Sequence, residues 1–387
     1  MLIAGEASGD MLAAELVKAL RAVSPSSLEF FGAGGPKMAE ARVKLAIDMT
    51  AHSVIGLIEA LKSYSYFKKI FNQLLQLAVE RKPDVIVCVD FSGFNRRFAH
   101  AVREFIRNHQ SSVGDWKPKI VQYVSPQVWA SRPARAGKMA RDIDLLLCIF
   151  PFEKDWYAKR VPNLRVEFVG HPMVNRHVRF TNDDLRFSRE KAVGSSIVNR
   201  KSQILLLPGS RVGELKRHLP VMLEAAKQIS EKQSVQFKMV LPDANLKQLA
   251  DRMPALLPNL AIQIGGLAES LSQSTLAIAS TGTVTMECAY FGVPTIAIYK
   301  TSWSTYQIAK RIIQVKFLAM PNLLANEMIF PEFIQNEATP ENISREAIAL
   351  LNNSRQRNEI KEELAKIIIS LGEAGASARA AKAIVSL

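Results

Sequence analysis

Short apolar runs alternate with longer helical stretches from one end of the chain to the other, and few architectures accept that rhythm. A run of four to six residues without polar interruption reads as a strand buried on both faces, and a helix between consecutive strands makes their pairing parallel. Strands are expected at residues 1–4, 30–33, 85–90, 119–124, 145–150 and 166–170, then at 204–208, 236–241, 261–264, 276–280 and 295–299. Between the two series the pattern lapses into charged and polar residues, with 175–184 the most linker-like stretch. The expected organisation is an α/β domain over 1–172, a linker over 173–202, a second α/β domain over 203–355, and C-terminal helices over 356–387 that can cross back to the first domain. A chain of 387 residues fits two domains, because single cores stop growing at roughly 250–300 residues. Open parallel sheets bind ligands beyond the carboxyl ends of their strands, so chemistry is expected in the loops there and in a cleft between the domains.

Lys and Arg number 50 against 36 Asp and Glu, a formal net charge of +14 that calls for an anionic partner. Nucleic acid, phosphorylated metabolites and an anionic membrane face all qualify. The basic residues are dispersed and the aromatics form no stacking platform, which argues against nucleic acid. Cys88, Cys148 and Cys288 lie inside apolar runs, too far apart for a zinc site, and read as reduced core residues of a cytosolic protein. The opening MLIAGEASGD carries Glu6 and Asp10 where a signal peptide needs a basic flank and an apolar run, so neither export nor a spanning helix is expected. Its strand is so short that the true start is expected several residues upstream.

The first strand runs into Gly5-Glu6-Ala7-Ser8-Gly9-Asp10, with a helix beginning at about Met11. Ser8 or Asp10 can cap that helix, while the acidic residues disfavour a phosphate lying directly on the turn; a turn that only packs explains it equally. VCVDFSGFN leaves Asp90 at a strand end, followed by Ser92 and Gly93. Partial burial raises a carboxyl pKa and suits it to take a proton from an attacking hydroxyl, although Asp also starts ordinary turns. YVSPQVWASRPAR combines an exposed-leaning Trp129 with Arg132 and Arg135, which fits either a phosphate grip or a solvated basic loop. Asp142-Ile143-Asp144 runs straight into the apolar LLLCIF strand and reads as a loop-to-strand transition, with no metal.

In the second half, ILLLPGSRVGEL is a strand, a Pro-Gly turn and then Gly209, Ser210 and Arg211 ahead of a helix. Backbone N–H groups and one guanidinium there suit a diphosphate without a cation. LAIASTGTVTMECA repeats the plan: Ser280, Thr281, Gly282 and Thr283 form the turn, and Glu287, one helical turn in, is placed to accept from ribose hydroxyls. His171 in FVGHP reads as a hinge residue more readily than a base. No G-x-S-x-G elbow or P-loop lysine occurs. Residues 54–77 (Tyr64, Tyr66, Phe67 and Phe71 with Lys62, Lys68 and Lys69) and 303–317 (Trp303 and Tyr306 with Lys310, Arg311 and Lys316) fit core-facing helices or contact with anionic lipid.

GEASGD, GGPKM, IGLIEAL, VDFSGFN, YVSPQVWASRPAR, FPFEKDWY, FVGHP, LLPGSR, STGTVTMEC and MPNLLANE fall in the order found in lipid-A-disaccharide synthases, and the resemblance runs from Gly5 to about Pro340. It implies a GT-B architecture of two Rossmann-like α/β domains and an inverting glycosyl transfer. UDP-2,3-diacylglucosamine would be the donor, 2,3-diacylglucosamine 1-phosphate the acceptor, and the β-1,6 lipid A disaccharide 1-phosphate and UDP the products. It implies no metal and no other cofactor, and a place on the cytosolic face of a bacterial inner membrane in peripheral contact with anionic lipid; a homodimer is compatible with it. By motif, Asp90 would be the base for the acceptor's 6-hydroxyl. Arg211 with Gly209 and Ser210, and the turn from Ser280 to Thr283, would stabilise the departing diphosphate, while Glu287 and Asn322 would hold the nucleotide or orient the sugar. Glu6, Ser8, Trp129, Arg132 and Arg135 would line the acceptor side. The chain departs from the pattern at Gly93, where a second acid is common, at Ser131, where an aromatic is, and at Asn175, where Asp is. A UDP-N-acetylglucosamine 2-epimerase shares the architecture and nucleotide loops, and stands as the alternative enzyme.

Overall fold

A computed structural model describes residues 1–49, 59–174, 202–253, 257 and 260–387, with the main chain alone for 59–66. The expected linker around 175–184 with Asn175, residues 54–58, and the side chains of Lys62, Tyr64 and Tyr66 lie outside the described residues.

Among the described residues the strands form two wholly parallel sheets. The first contains β1 (Leu2–Ala4), β2 (Phe31–Gly34), β3 (Lys44–Asp48), β4 (Val85–Val89), β5 (Lys119–Tyr123), β6 (Leu145–Cys148) and β7 (Arg165–Phe168), in the order β3-β2-β1-β4-β5-β6-β7. The second contains β8 (Ser202–Leu207), β9 (Val235–Leu241), β10 (Leu260–Ile264), β11 (Leu276–Ser280), β12 (Thr295–Tyr299) and β13 (Glu332–Ile334), in the order β10-β9-β8-β11-β12-β13. The apolar runs are the central strands: Leu145–Cys148 and Leu276–Ser280 are buried at every position, as expected where helices cover both faces. Each fully buried Leu or Ile contributes roughly 1.5–3 kcal/mol, which is why these runs tolerate no charge.

The strands β3 and β13 were not expected from the sequence. Both are sheet edges: β3 alternates exposed and half-buried residues and β13 is three half-buried residues beginning with Glu332, so neither carries an unbroken apolar run.

Strand order fixes where ligands can bind. From β1 the chain winds outward through β2 and β3, then returns to β4 on the other side of β1; the same reversal separates β8 from β11. At such a switch point two loops diverge and leave a crevice beyond the strand ends. The loops in question are Gly5-Glu6 and Asp90-Phe91 in the first sheet, and Pro208–Arg211 and Thr281-Gly282 in the second.

The chain divides into one unit of Met1–Asn182 with Leu371–Leu387, and another of Asp183–Ser370. Within the first, the last helix, Ala376–Val385, packs on the first helix, Ala7–Val23. Arg379 Nε donates to Val169 O at 2.8 Å and His171 N to Leu371 O at 3.0 Å. No helix among the described residues is long and apolar enough to cross a membrane. Cys88, Cys148 and Cys288 are buried, and burial pushes the thiols of Cys88 and Cys288 up to about 12, out of reach of redox chemistry at neutral pH.

Candidate functional site

At the first switch point Ala4 and Val89 pair in register, so the turns after β1 and β4 leave side by side. A Cβ on Gly5 would overlap the Phe91 ring, and only glycine lets the two turns close on each other. Asp90 and Phe91 both take left-handed backbone, φ 49° and 40°, a conformation that costs a non-glycine residue roughly 1–2 kcal/mol. Asp90 is half-buried, and its carboxyl pKa is raised, first by burial and then by the charge of Glu6; a hydrogen bond from the Phe91 main chain opposes both.

The helix after β1 starts at Ala7 rather than near Met11, and neither Ser8 nor Asp10 caps it. Glu6 occupies the cap position, and Glu6 and Ser8 are exposed. Asp10 instead turns inward, accepting from Gly35 N at 2.8 Å, Lys37 N at 2.9 Å and Met38 N at 3.0 Å, and so caps the short helix Pro36–Glu40. Among the described residues nothing lies within 4 Å of where a Cβ on Gly93 would stand, so none of them blocks a second acidic side chain there.

The basic loop after β5 differs from expectation at Trp129. Its ring is buried, not exposed, because the indole Nε1 donates to Glu153 Oε1 at 3.0 Å while Phe150 N donates to Oε2 at 3.1 Å. Trp129 therefore anchors the loop. Burial pushes the Glu153 carboxyl up to about 7 against those two hydrogen bonds. Arg132 is exposed and Arg135 half-buried. The Arg135 pKa is lowered by burial, then by Arg96, Arg132 and Arg97, so four guanidinium groups share one neighbourhood. None of the four has an ion-pair partner among the described residues, which leaves a site of concentrated positive charge for an anion. Sequence reading missed Arg96 and Arg97: they lie on the amphipathic helix Ser92–Asn108 and look like a solvated face until the fold brings that helix against Arg135–Asp142. Asp142 and Asp144 are spoken for, by His100 Nδ1 at 3.2 Å and by Arg103.

At the second switch point Leu207 pairs with Ala279, so the PGSR and STGT turns are neighbours. Ser210 and Arg211 are exposed ahead of the helix Val212–Lys232. Glu214 already engages this turn: its Oε2 accepts from Ser210 N at 3.0 Å and its Oε1 lies 3.6 Å from Arg211 Nη1. Gly209, at φ 118°, has no room for a Cβ beside Glu214. In the neighbouring turn Ser280 is buried, Thr281 and Glu287 are half-buried, and Gly282 and Thr283 are exposed at the start of the helix Thr283–Tyr290.

Two further side chains hold these turns. His218 is fully buried, with Nδ1 2.8 Å from Pro208 O and Nε2 accepting from Lys300 N at 2.9 Å, which fixes the neutral tautomer with its proton on Nδ1. Burial lowers its pKa. It ties the PGSR turn to the end of β12; in sequence it shares an apolar stripe with Leu215, Leu219 and Met222 and looks like filler. Asn322, expected to hold the nucleotide or orient the sugar, is bonded within the protein at every polar atom of its side chain. It is wholly buried and saturated, donating to Phe330 O at 2.7 Å and Glu332 Oε1 at 2.8 Å and accepting from Ile329 N and Phe330 N at 2.9 and 2.7 Å. These bonds tie the helix Met320–Ala325 to the loop before β13.

The family model described as lipid-A-disaccharide synthetase matches residues 1–386. A relative named lipid-A-disaccharide synthase, from Trichlorobacter lovleyi, is 35% identical over 393 residues, spanning 100% of this chain and 97% of its own length. Among solved structures, UDP-GlcNAc 2-epimerase from Neisseria meningitidis bound to UDP-GlcNAc superposes with a TM-score of 0.60 at 12% identity, covering 98% of this chain and 97% of that one. The glycotransferase of kitacinnamycin gives 0.58 at 15% identity, covering 100% and 98%. At those identities the structures establish a common two-domain, GT-B-like α/β fold and no more.

Proposed function

This chain belongs to the lipid-A-disaccharide synthase family, enzymes of lipid A disaccharide synthesis, and on that premise we propose that it transfers 2,3-diacylglucosamine from UDP to the 6-hydroxyl of 2,3-diacylglucosamine 1-phosphate, with inversion, releasing UDP. The observation that carries the reading is Asp90: a half-buried carboxyl of raised pKa at the switch point of the first sheet. Asp90 accepts the proton of the acceptor hydroxyl as its oxygen attacks the anomeric carbon, and the raised pKa makes it a stronger base than a solvated carboxylate. The first unit serves the acceptor, with Arg96, Arg97, Arg132 and Arg135 drawing in its phosphate and Glu6 and Ser8 nearby. The second unit holds UDP. Main-chain N–H groups of the PGSR and STGT turns and the Arg211 guanidinium neutralise the diphosphate as it departs, and Glu287 accepts from the nucleotide's sugar.

The helix Trp303–Ile312 supports a peripheral membrane contact for a substrate pair carrying four acyl chains. None of its residues is buried, Trp303 and Ile308 are 75% and 60% exposed, and Lys310 and Arg311 end it.

The test is incubation with both acylated glucosamine substrates and no added metal, following disaccharide and UDP by mass spectrometry. Disaccharide, with UDP released only when acceptor is present, supports the transferase; UDP released from donor alone favours epimerase-type chemistry. D90N is expected to fold, to bind UDP and to transfer little sugar, and near-normal turnover by that variant removes Asp90 from its role.

A further inference from the structure

We propose that Asn95 and Gln122, two buried carboxamides, are positioning residues that converge on the main-chain carbonyl of Asp90 and hold the base at the end of β4. The inference rests on the reading of Asp90 as the base. Asn95 lies in the first turn of the helix Ser92–Asn108 and Gln122 near the end of β5; they are 0% and 1% exposed. Asn95 Nδ2 is 2.9 Å from Asp90 O and also faces Val89 O at 3.2 Å and Ile3 O at 3.5 Å. Gln122 Nε2 is 3.2 Å from the same Asp90 O and 3.1 Å from Val124 O. Three residues around these amides take left-handed backbone without being glycine: Asp90, Phe91 and Val124, at φ 49°, 40° and 68°. Such backbone persists only where its surroundings over-determine it, and for a β-branched valine it is a pronounced outlier.

The orientation of Asn95 follows from its surroundings, since its NH2 meets three carbonyls, whereas Oδ1, turned to the other side, has no partner among the described residues. A side chain kept solely to satisfy itself would not leave a buried acceptor orphaned; here the donor end is what the site uses. With the carbonyl of Asp90 pinned from two directions, the carboxyl cannot swing by peptide rotation, and a displacement of about 1 Å at a reacting group costs on the order of 100-fold in rate. Glu6 is the charged group facing Asp90 from the turn after β1; the helix start and the end of β5 meet it with these amides.

The experiment is a double-mutant cycle of Gln122→Met, a near-isosteric side chain without a donor, with Asp90→Asn, measuring kcat, acceptor and donor KM, the pH profile and thermal unfolding. Q122M is expected to unfold cooperatively, to lose roughly 10- to 100-fold in kcat with donor KM within about twofold, and to move the acid limb of its pH profile to lower pH as water reaches a loosened Asp90. On the D90N background the Q122M loss should vanish, because it acts through Asp90. An equal loss on both backgrounds makes Gln122 merely structural and overturns the proposal, as does a folded Q122M with unchanged kcat and pH limb. A fully active D90N instead sinks the reading of Asp90, and the proposal with it. Should Q122M fail to unfold cooperatively, N95S goes through the same cycle with the same criteria.

Discussion

Glu6 and Asp90 stand at the carboxyl ends of adjacent strands, one just past β1 and the other just past β4, and the charge of Glu6 adds to burial in raising the Asp90 pKa. Neither residue is unusual in sequence, since Glu6 begins a turn and Asp90 ends a strand. The doubly wound order puts them together, because β1 and β4 are neighbours despite the 80 residues between them.

If Glu6 helps hold the proton on Asp90, removing its charge must lower the Asp90 pKa. Glu6→Gln is therefore expected to shift the acid limb of the kcat/KM profile to lower pH, and turnover at neutral pH should fall roughly two- to threefold, in keeping with a weaker base. Measured profiles that coincide would mean that Glu6 and Asp90 are uncoupled in solution.

The four arginines repel one another in the absence of an anion, and after burial their charges are what lower the Arg135 pKa. Arg96→Ala should accordingly leave thermal stability unchanged or slightly higher while raising acceptor KM about 10- to 100-fold, the worth of one charge-assisted hydrogen bond of ~1.5–3 kcal/mol. Donor KM should not move. An acceptor analogue lacking the phosphate discriminates further: it should bind wild type and R96A equally, and a persisting difference would assign Arg96 to another part of the substrate.

Glu153 makes a prediction about stability rather than rate. Its folded pKa of about 7 lies above the ordinary carboxyl value of 4.5, so the folded state keeps a proton that the unfolded chain has released. The resulting stabilisation is fully present below pH 4.5 and is lost as pH rises through 7. Its size is about 3 kcal/mol, at 1.36 kcal/mol per unit. Denaturant unfolding of wild type should show that decline between pH 5 and 8, and Glu153→Gln should flatten it. Parallel curves would place the titration elsewhere.

An unburied helix carrying a nearly bare tryptophan next to two cations should bind an anionic bilayer through both terms. In flotation with vesicles containing about a quarter anionic lipid, W303S/I308S is expected to lose most binding at physiological salt, where each interfacial cation contributes only ~1 kcal/mol. Undiminished binding of that variant would put the contact on another surface.

Much of the architecture was legible because parallel strands buried on both faces write themselves as apolar runs, and eleven of them were visible. What the sequence hid has two physical origins. Edge strands such as β3 and β13 pair on one side only and need no apolar run. Buried polar side chains carry no signal of their partners: His218 sits in an apolar stripe, Asn322 in a motif that looks ligand-facing, and Trp129 in a basic loop that looks exposed. Their roles depend on Lys300, Phe330 and Glu153, residues 82, 8 and 24 positions away. Asp90, Arg211 and the small-residue turns stand out in the sequence only as candidates, because strand-end loops are where chemistry is expected in such folds.

The second switch point holds an anion of its own. Glu214 is bonded to Ser210 N, one of the donors a diphosphate would use, and it lies beside Arg211. Bound UDP must therefore displace that carboxylate or endure its charge. In Glu214→Gln the amide oxygen can still accept from Ser210 N, so the turn keeps its shape while the repulsion disappears. At an effective dielectric near 20 a like charge some 6 Å away costs about 3 kcal/mol, and partial exposure screens this to about 1 kcal/mol, or roughly fivefold in affinity. Calorimetric titration with UDP should thus find E214Q binding more tightly than wild type. Arg211→Ala should do the reverse and also lose roughly 100- to 1000-fold in turnover, because the guanidinium meets charge that grows as the diphosphate leaves. Weaker UDP binding by E214Q would instead make the carboxylate a support of the bound loop, and the diphosphate would then have to be placed on the STGT turn alone.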